Sequence, residues 1–121
     1  MPEEFLQILE NNPVELEIKG IGKVLVRFPT TKEKLEAKKE LRKLPNYDCL
    51  TEEEKAFYEG LLVALKCLEK PKLTVDDFLN APDVKILNLL NHVIAWYARR
   101  TKEIADELAR ETGFLQEMRK P

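Results

Sequence analysis

The chain has 121 residues, enough for one domain that buries roughly two-thirds of its surface on folding. Its apolar fraction of 44% is typical of a globular protein, and its net charge of -2 gives no global attraction to nucleic acid or anionic membranes. The longest uncharged run, residues 86–98, is shorter than the ~20 residues of a membrane helix. Residues 1–4 are acidic and unlike a signal peptide, and Cys49 and Cys67 are interpreted as free thiols, so we expect a soluble cytoplasmic protein.

The first predicted element is a short N-terminal helix within residues 1–12. Phe5, Ile8 and Leu9 fall on one face of this segment, and the following Pro13 stops it. A β-hairpin (14–28), a helical part (31–112) and a charged tail (113–121) are predicted to follow. All belong to a single domain, 1–121, because the sequence contains no linker or repeat.

The hairpin at 14–28 is the clearest local pattern in the chain. Apolar and polar residues alternate along both strands, as expected for strands with one buried face. A three-residue loop at 20–22, with Gly22 in a left-handed conformation, joins them. The predicted pairs are Val14 with Phe28, Leu16 with Val26, Ile18 with Val24 and, on the other face, Glu15 with Arg27. Since two strands alone are marginal in water, helices or a neighbouring chain must cover the apolar face.

Four helices are predicted after the hairpin, and three of them open with a capping box. In this motif a Thr and an acid three residues later each bond the other's backbone N–H. The three boxes are Thr30 with Glu33, Thr51 with Glu54 and Thr74 with Asp77. They open helices at 31–44, 51–69 and 75–79. The predicted fold class is therefore α+β and mostly α, with one two-stranded hairpin and a bundle of about four helices.

The long last helix, predicted over 82–112 with Gly113 as its stop, changes character halfway. Its first half is apolar nearly all round, as in a buried helix. Beyond Arg99 a single stripe continues through Thr101, Ile104 and Leu108, and the 3-4 spacing from Leu87 to Leu108 is that of a coiled-coil seam. About 30 residues make a rod of roughly 45 Å, which is longer than the compact core needs.

Two interpretations of that stripe remain open. In the first, the C-terminal half of the helix projects and offers Ile104, Leu108, Phe114 and Leu115 to a partner helix. In the second, the stripe packs on the chain's own 31–44 helix, since most amphipathic stripes belong to an ordinary core.

No catalytic or metal site can be assembled from the residue pattern. His92 is the only histidine, and its helical neighbours supply neither a second ligand nor a base, which favours a surface or hydrogen-bonded histidine. Asp76, Asp77 and Asp83 lie at predicted helix N-termini, where acids are favoured, and lack calcium-loop spacing. We therefore expect no enzyme activity, no cofactor and no metal.

The 31–44 helix carries more bases than acids and needs a separate explanation. Its bases are Lys32, Lys34, Lys38, Lys39, Arg42 and Lys43, and its acids are Glu33, Glu36 and Glu40. The spacing predicts local pairs of Lys32 with Glu36, Glu36 with Lys39, and Glu40 with Lys43. Such pairing is typical of a solvated helix face, and it argues against nucleic-acid binding.

The order of these segments resembles that of the tail assembly chaperones of long-tailed bacteriophages. Residues 22–31 (GKVLVRFPTT) lead into a Lys/Glu-rich helix, as at the opening of those proteins. An acidic capped helix at 51–69, the segment TVDDFL at 74–79, and a helix starting at Asp83 continue the likeness. The resemblance covers about residues 14–100, and the long last helix and the tail from Glu111 depart from it.

The resemblance implies a small, non-catalytic and mostly helical protein in the host cytoplasm. Such chaperones coat the tape measure protein and keep it soluble until the tail tube polymerises around it. Contacts with the tail tube protein and self-association are further expectations. Alternative functions are a connector or oligomeric adaptor that forms a ring, and a small DNA-binding regulator that uses the 31–44 helix.

Overall fold

A computed structural model describes residues 10–112, which form a three-stranded antiparallel sheet and four α-helices. The strands are β1 (Val14–Ile18), β2 (Gly22–Val26) and β3 (Leu68–Lys70), in the order β1–β2–β3. The helices are α1 (Thr31–Arg42), α2 (Glu52–Cys67), α3 (Val75–Asn80) and α4 (Asp83–Thr112). The mostly helical α+β class is confirmed. Of the predicted N-terminal helix, residues 1–9 lie outside the described residues, and 10–13 have no regular structure.

The hairpin forms, but its register differs by two residues from the predicted one. Leu16 lies opposite Val24, whereas the sequence pattern predicts Val26 as its partner. Because side chains alternate with a period of two, this shift leaves every side chain on its predicted face. Ile18, Val24 and Val26 are accordingly buried, and the prediction of one apolar face is confirmed.

The turn of the hairpin accounts for the difference in register. The Ile21 N–H donates to the carbonyl oxygen of Ile18 at 3.0 Å, which closes a β-turn. Gly20 takes the third position of that turn with φ +85°, the left-handed conformation that a type II turn requires. Gly22 also has a positive φ, +114°, but it already belongs to β2. The chain therefore reverses over 19–21 instead of 20–22.

Strand β3 is the main departure from the predicted fold. Helix α2 ends at Cys67, and the next three residues pair with β2 instead of continuing the helix to residue 69. The Arg27 N–H donates to the carbonyl oxygen of Cys67 at 2.9 Å, so the chain passes directly from helix to sheet. The exposed edge of β2 offers backbone partners, and Pro71 blocks any longer helix.

All three predicted capping boxes are present. In each one the Thr hydroxyl oxygen accepts from the backbone N–H of the acid at 3.1 Å. The carboxylate in turn accepts from the Thr backbone N–H, at 2.9 Å in the first two boxes and 2.8 Å in the third. The boxes satisfy backbone N–H groups that the first helical turn leaves without intrahelical partners.

Helix α2 is central to the core, because both α1 and α4 pack on it. The largest fully buried side chains are Ile18, Val26, Leu61, Leu62, Cys67, Leu68, Leu90 and Val93. The ring of Phe28 joins the sheet to α4, with its centroid 5.3 Å from Trp96 and 6.0 Å from Tyr97. The main neighbour of α4 is thus α2, and the interpretation in which its stripe packs chiefly on the 31–44 helix is not what the structure shows.

Candidate functional site

The residues considered for chemistry belong to different elements, with His92 in α4, Cys67 at the end of α2 and Asp77 in α3. Within 10–112 no cluster of His, Cys, Asp or Glu could hold a metal ion, and no helix in that range is long and apolar enough to cross a membrane. His92 is exposed, with its Nδ1 bonded to the carbonyl oxygen of Asn88 at 2.7 Å. Cys49 is exposed and Cys67 is buried, and desolvation raises the pKa of the Cys67 thiol to about 12. Asp77 caps α3 as predicted.

The distal half of α4 is largely exposed, although Ala109 is buried. From residue 98 to residue 108 every residue is exposed except Ile104, which is half-buried. Leu108 lies one turn further along the same face and is 55% exposed. The two predicted partner-binding residues of α4 are therefore adjacent and accessible. Phe114 and Leu115, the other two, lie outside the described residues, as does Gly113.

A groove adjoins this surface where α1, α2 and α4 meet. It encloses about 270 Å³, and its lining includes Lys34, Glu59, Gly60, Val63, Ile94 and Tyr97. Ile94 and Tyr97 lie on the same helical face as Ile104 and Leu108, with the exposed Thr101 between the two pairs. We call these four residues the α4 seam. The seam borders the groove through Ile94 and Tyr97, and it extends about 21 Å along the helix from Ile94 to Leu108.

The sequence predicted the α4 side of this surface, since its stripe from Leu87 to Leu108 includes Ile94 and Tyr97, but not the α2 side. Gly60 and Val63 belong to the second half of α2, and nothing in their own spacing marks them as accessible, because residues 60–67 are buried or half-buried on all faces. The one available signal was a glycine inside a helical pattern, which usually has a packing or functional reason.

The acids of α1 make different ion pairs from the predicted ones. Glu36 and Glu40 both approach Lys66 of α2, with oxygen-to-Nζ distances of 3.8 and 2.8 Å, and Glu33 pairs with Arg27. None of the three predicted local pairs forms among the described residues. These ion pairs connect α1 to α2 and to Arg27, which directly follows β2. The six bases of the 31–44 segment are exposed. Because the predicted local ion pairs do not form, they no longer argue against the binding of nucleic acid to these bases.

Arg27 is the centre of the strongest ion-pair cluster. Its Nη2 lies 2.7 Å from Glu33 Oε2, and its Nε lies 2.8 Å from Glu69 Oε2. The hydrogen bond to Arg27 lowers the pKa of Glu33 to about 2, and the same bond raises the pKa of Arg27. The predicted pairing of Glu15 with Arg27 is wrong, because in the observed register Glu15 lies 3.5 Å from Lys23. Arg27, which directly follows β2, therefore connects the end of that strand to α1 and β3.

Comparisons with protein-family models, curated proteins and solved structures found no match for this chain. The α4 seam and the adjoining groove are thus described by their own geometry. Apolar side chains of α2 and α4 line the groove together with Lys34 and Glu59.

Proposed function

We propose that this protein is a non-catalytic tail assembly chaperone of a long-tailed bacteriophage, which binds the tape measure protein and keeps it soluble in the host cytoplasm. The proposal joins the resemblance over residues 14–100 to one structural observation. That observation is the α4 seam, whose distal residues Ile104 and Leu108 stand on an otherwise exposed stretch of helix.

A helix with an accessible apolar seam can bind a long helical partner by extending a coiled coil. Side chains at 3-4 spacing insert between those of a facing helix, and each pair removes apolar surface from water. A tape measure protein offers such helices in long succession, so many copies of a small chaperone could coat one partner. An unbound partner would leave its own apolar stripes exposed and would aggregate.

Co-expression with the long helix-rich protein encoded just downstream tests the proposal. We expect a soluble complex with many copies of this chain per partner, and an insoluble partner in its absence. Affinity capture followed by native mass measurement of the complex gives the stoichiometry. A partner that is equally soluble alone, and that is not captured, would reject the chaperone function.

The double substitution Ile104→Asp with Leu108→Asp identifies the binding surface. We expect it to abolish capture of the partner and to preserve helical circular dichroism and cooperative melting, because both positions lie outside the continuous core. Arg99→Gln with Arg110→Gln is the matched control: it changes net charge by the same -2 on the opposite face of α4 and should leave capture intact. Loss of cooperative melting in the first variant would mean instead that the seam is internal core.

A ring-forming connector or adaptor is the alternative favoured by the sheet. In the described part of the chain, β1 has one pairing edge without a neighbouring strand, and such edges can join copies of a protein. A closed ring of this chain alone, with no effect on partner solubility, would favour that function.

The exposed bases of the 31–44 segment favour a DNA-binding regulator as a further candidate. Phosphate contacts release counterions, so binding through these bases would weaken steeply between 50 and 200 mM salt. Titration of labelled duplex DNA at both salt concentrations separates this candidate from the chaperone. Absence of binding, or binding that hardly depends on salt, would reject it.

A further inference from the structure

Gly60 is a glycine that the fold of the described chain does not require. It lies inside α2 in helical conformation, where glycine is less favourable than alanine because its backbone loses more freedom on folding. A Cβ atom built at this position would meet no atom within 4 Å apart from its chain neighbours and the nearby backbone of its own helix. Neither a positive φ nor a crowded neighbour therefore explains the missing side chain.

The open space beside Gly60 is the groove between α1, α2 and α4. The side chains of Val63, Ile94 and Tyr97 around it are only partly buried, so apolar surface faces this space. Without a side chain at Gly60, the backbone of a second helix can approach α2 closely. Such an approach increases the number of van der Waals contacts along both helices.

We propose that this groove binds an amphipathic helix of the helix-rich partner. The inference rests on the proposed function and deepens it. The bound helix continues from Leu108 along the α4 seam into the groove, crosses α2 at Gly60 and buries an apolar ridge against Ile94 and Tyr97. The single occupant explains two features at once, namely the absent side chain and the continuity of the groove with the seam.

Charges at the groove specify the partner helix further. Lys34 and Glu59 both line the groove, and neither makes an ion pair with any residue in 10–112. The acids of α1 pair with Lys66 and Arg27 and not with Lys34. The charges of Lys34 and Glu59 are therefore available to a ligand. The partner helix should therefore flank its apolar ridge with an acid facing Lys34 and a base facing Glu59. Opposite charges at these positions fix register and direction more than they add affinity.

The test uses the full chain and fluorescein-labelled 30-residue helical segments tiled across the helix-rich protein encoded just downstream. Gly60→Leu fills the groove, and we expect it to weaken the best segment at least tenfold. Ala56→Leu, an exposed position that also lines the groove, should act in the same direction. Gly60→Ala should raise the melting temperature by a few degrees, because alanine favours the helix and the space is open.

A charge-reversal pair supplies the matched control. Lys34→Glu should weaken the same segment several-fold, whereas Lys39→Glu, an exposed base on another side of α1, should leave the affinity unchanged. Equal effects of the two reversals would indicate general electrostatic attraction and overturn the assigned groove.

The remaining outcomes separate this inference from the proposed function. If Gly60→Leu binds normally while the Ile104→Asp, Leu108→Asp variant does not, the groove is rejected and the chaperone function stands. If no segment binds the wild-type chain, both are rejected. A lower melting temperature for Gly60→Ala would mean that the chain's own residues fill the groove. A fall in the mass of the free chain on Gly60→Leu would assign the groove to a second copy.

Discussion

Ion pairs of single side chains stabilise the contact between the sheet and helix α1. The side chain of Arg27 is only 14% exposed and donates to Glu33, Glu69 and the carbonyl oxygen of Phe28. Glu33 also caps α1, since its carboxylate accepts from the Thr30 N–H. One carboxylate thus stabilises both a helix start and an inter-element ion pair. Hydrogen bonds between charged groups of this kind contribute more than neutral ones.

Glu33 should make stability depend on pH. Its folded-state pKa of about 2 lies below the ordinary value of 4.5, so its stabilising contribution is complete above pH 4.5 and is lost as the pH falls toward 2. Glu33→Gln, which keeps the capping acceptor, should lower the unfolding free energy at pH 7 by about 2 kcal/mol. Urea denaturation at pH 7, 4.5 and 2.5 should show this difference shrinking. A difference that stays constant would contradict the role of the ionised carboxylate. Glu15→Gln, which removes an exposed pair, is the control and should cost less than about 1 kcal/mol.

The two cysteines should differ in reactivity. Cys49 is exposed, whereas Cys67 is fully buried and its pKa is raised to about 12 because burial disfavours the thiolate. In the native protein at pH 8, we expect an aromatic disulfide reagent to modify one thiol per chain quickly and the second only after urea is added. Cys49→Ser should remove the fast phase. Rapid modification of both thiols in the native state would contradict the burial of Cys67.

At the scale of elements, helix starts are set locally and helix ends are not. Each capping box needs only residues three apart, so Thr30, Thr51 and Thr74 mark the starts of three helices correctly. The end of α2 at Cys67 depends on β2, because residues 68–70 leave the helical conformation to pair with that strand. The edge of β2 is distant in sequence and invisible in the periodicity of α2.

The capping boxes provide a prediction at this scale. Thr51→Ala removes the oxygen that accepts from the Glu54 N–H, so we expect the unfolding free energy to fall by about 1 kcal/mol. Thr51→Ser retains a hydroxyl and should cost less than half as much. Urea denaturation followed by circular dichroism measures both. Equal stability of the alanine variant and the wild type would mean that the box contributes nothing to α2.

At the scale of the whole molecule, the two halves of α4 differ in how deeply their side chains are buried. Ile86, Leu89, Leu90, Val93 and Trp96 are buried in the continuous core, whereas the stretch from residue 98 to residue 108 is almost entirely exposed. In the distal half of α4, Ile104 is half-buried and Leu108 is 55% exposed, while Ala109 is buried. The proposed partner would bind at the accessible distal part of the α4 seam, Ile104 and Leu108.

This difference in burial predicts that shortening a leucine side chain to alanine lowers the unfolding free energy more in the first half of α4 than in the second. Leu90→Ala, at a side chain with no exposed surface, should lower the unfolding free energy by about 3 kcal/mol, through lost burial and the cavity left behind. Leu108→Ala, at a side chain that is 55% exposed, should change it by less than about 0.5 kcal/mol. Thermal and urea unfolding measure both variants. Similar costs at the two positions would show that the distal half of α4 belongs to the core.

The sequence by itself determined the α+β class, the hairpin faces, four helices and three helix starts. These features depend on alternation, on 3.6-residue periodicity and on contacts within a few residues, all of which can be recognised from the order of residues along the chain. It also identified Ile104 and Leu108 as a seam, because one face of α4 stays apolar after the other has become polar.

Only the tertiary structure decided strand β3, the hairpin register, the partners of Arg27 and Lys66, and the groove at Gly60. Each depends on which surfaces meet across long stretches of chain, for example the 42 positions between Arg27 and Glu69. Local pairing rules assigned the acids of α1 to nearby lysines, yet packing placed them beside α2 and β2, where partial burial strengthens an ion pair. The sequence pattern shows which face of a helix or strand is apolar. Tertiary packing determines how much of that face stays accessible to a partner.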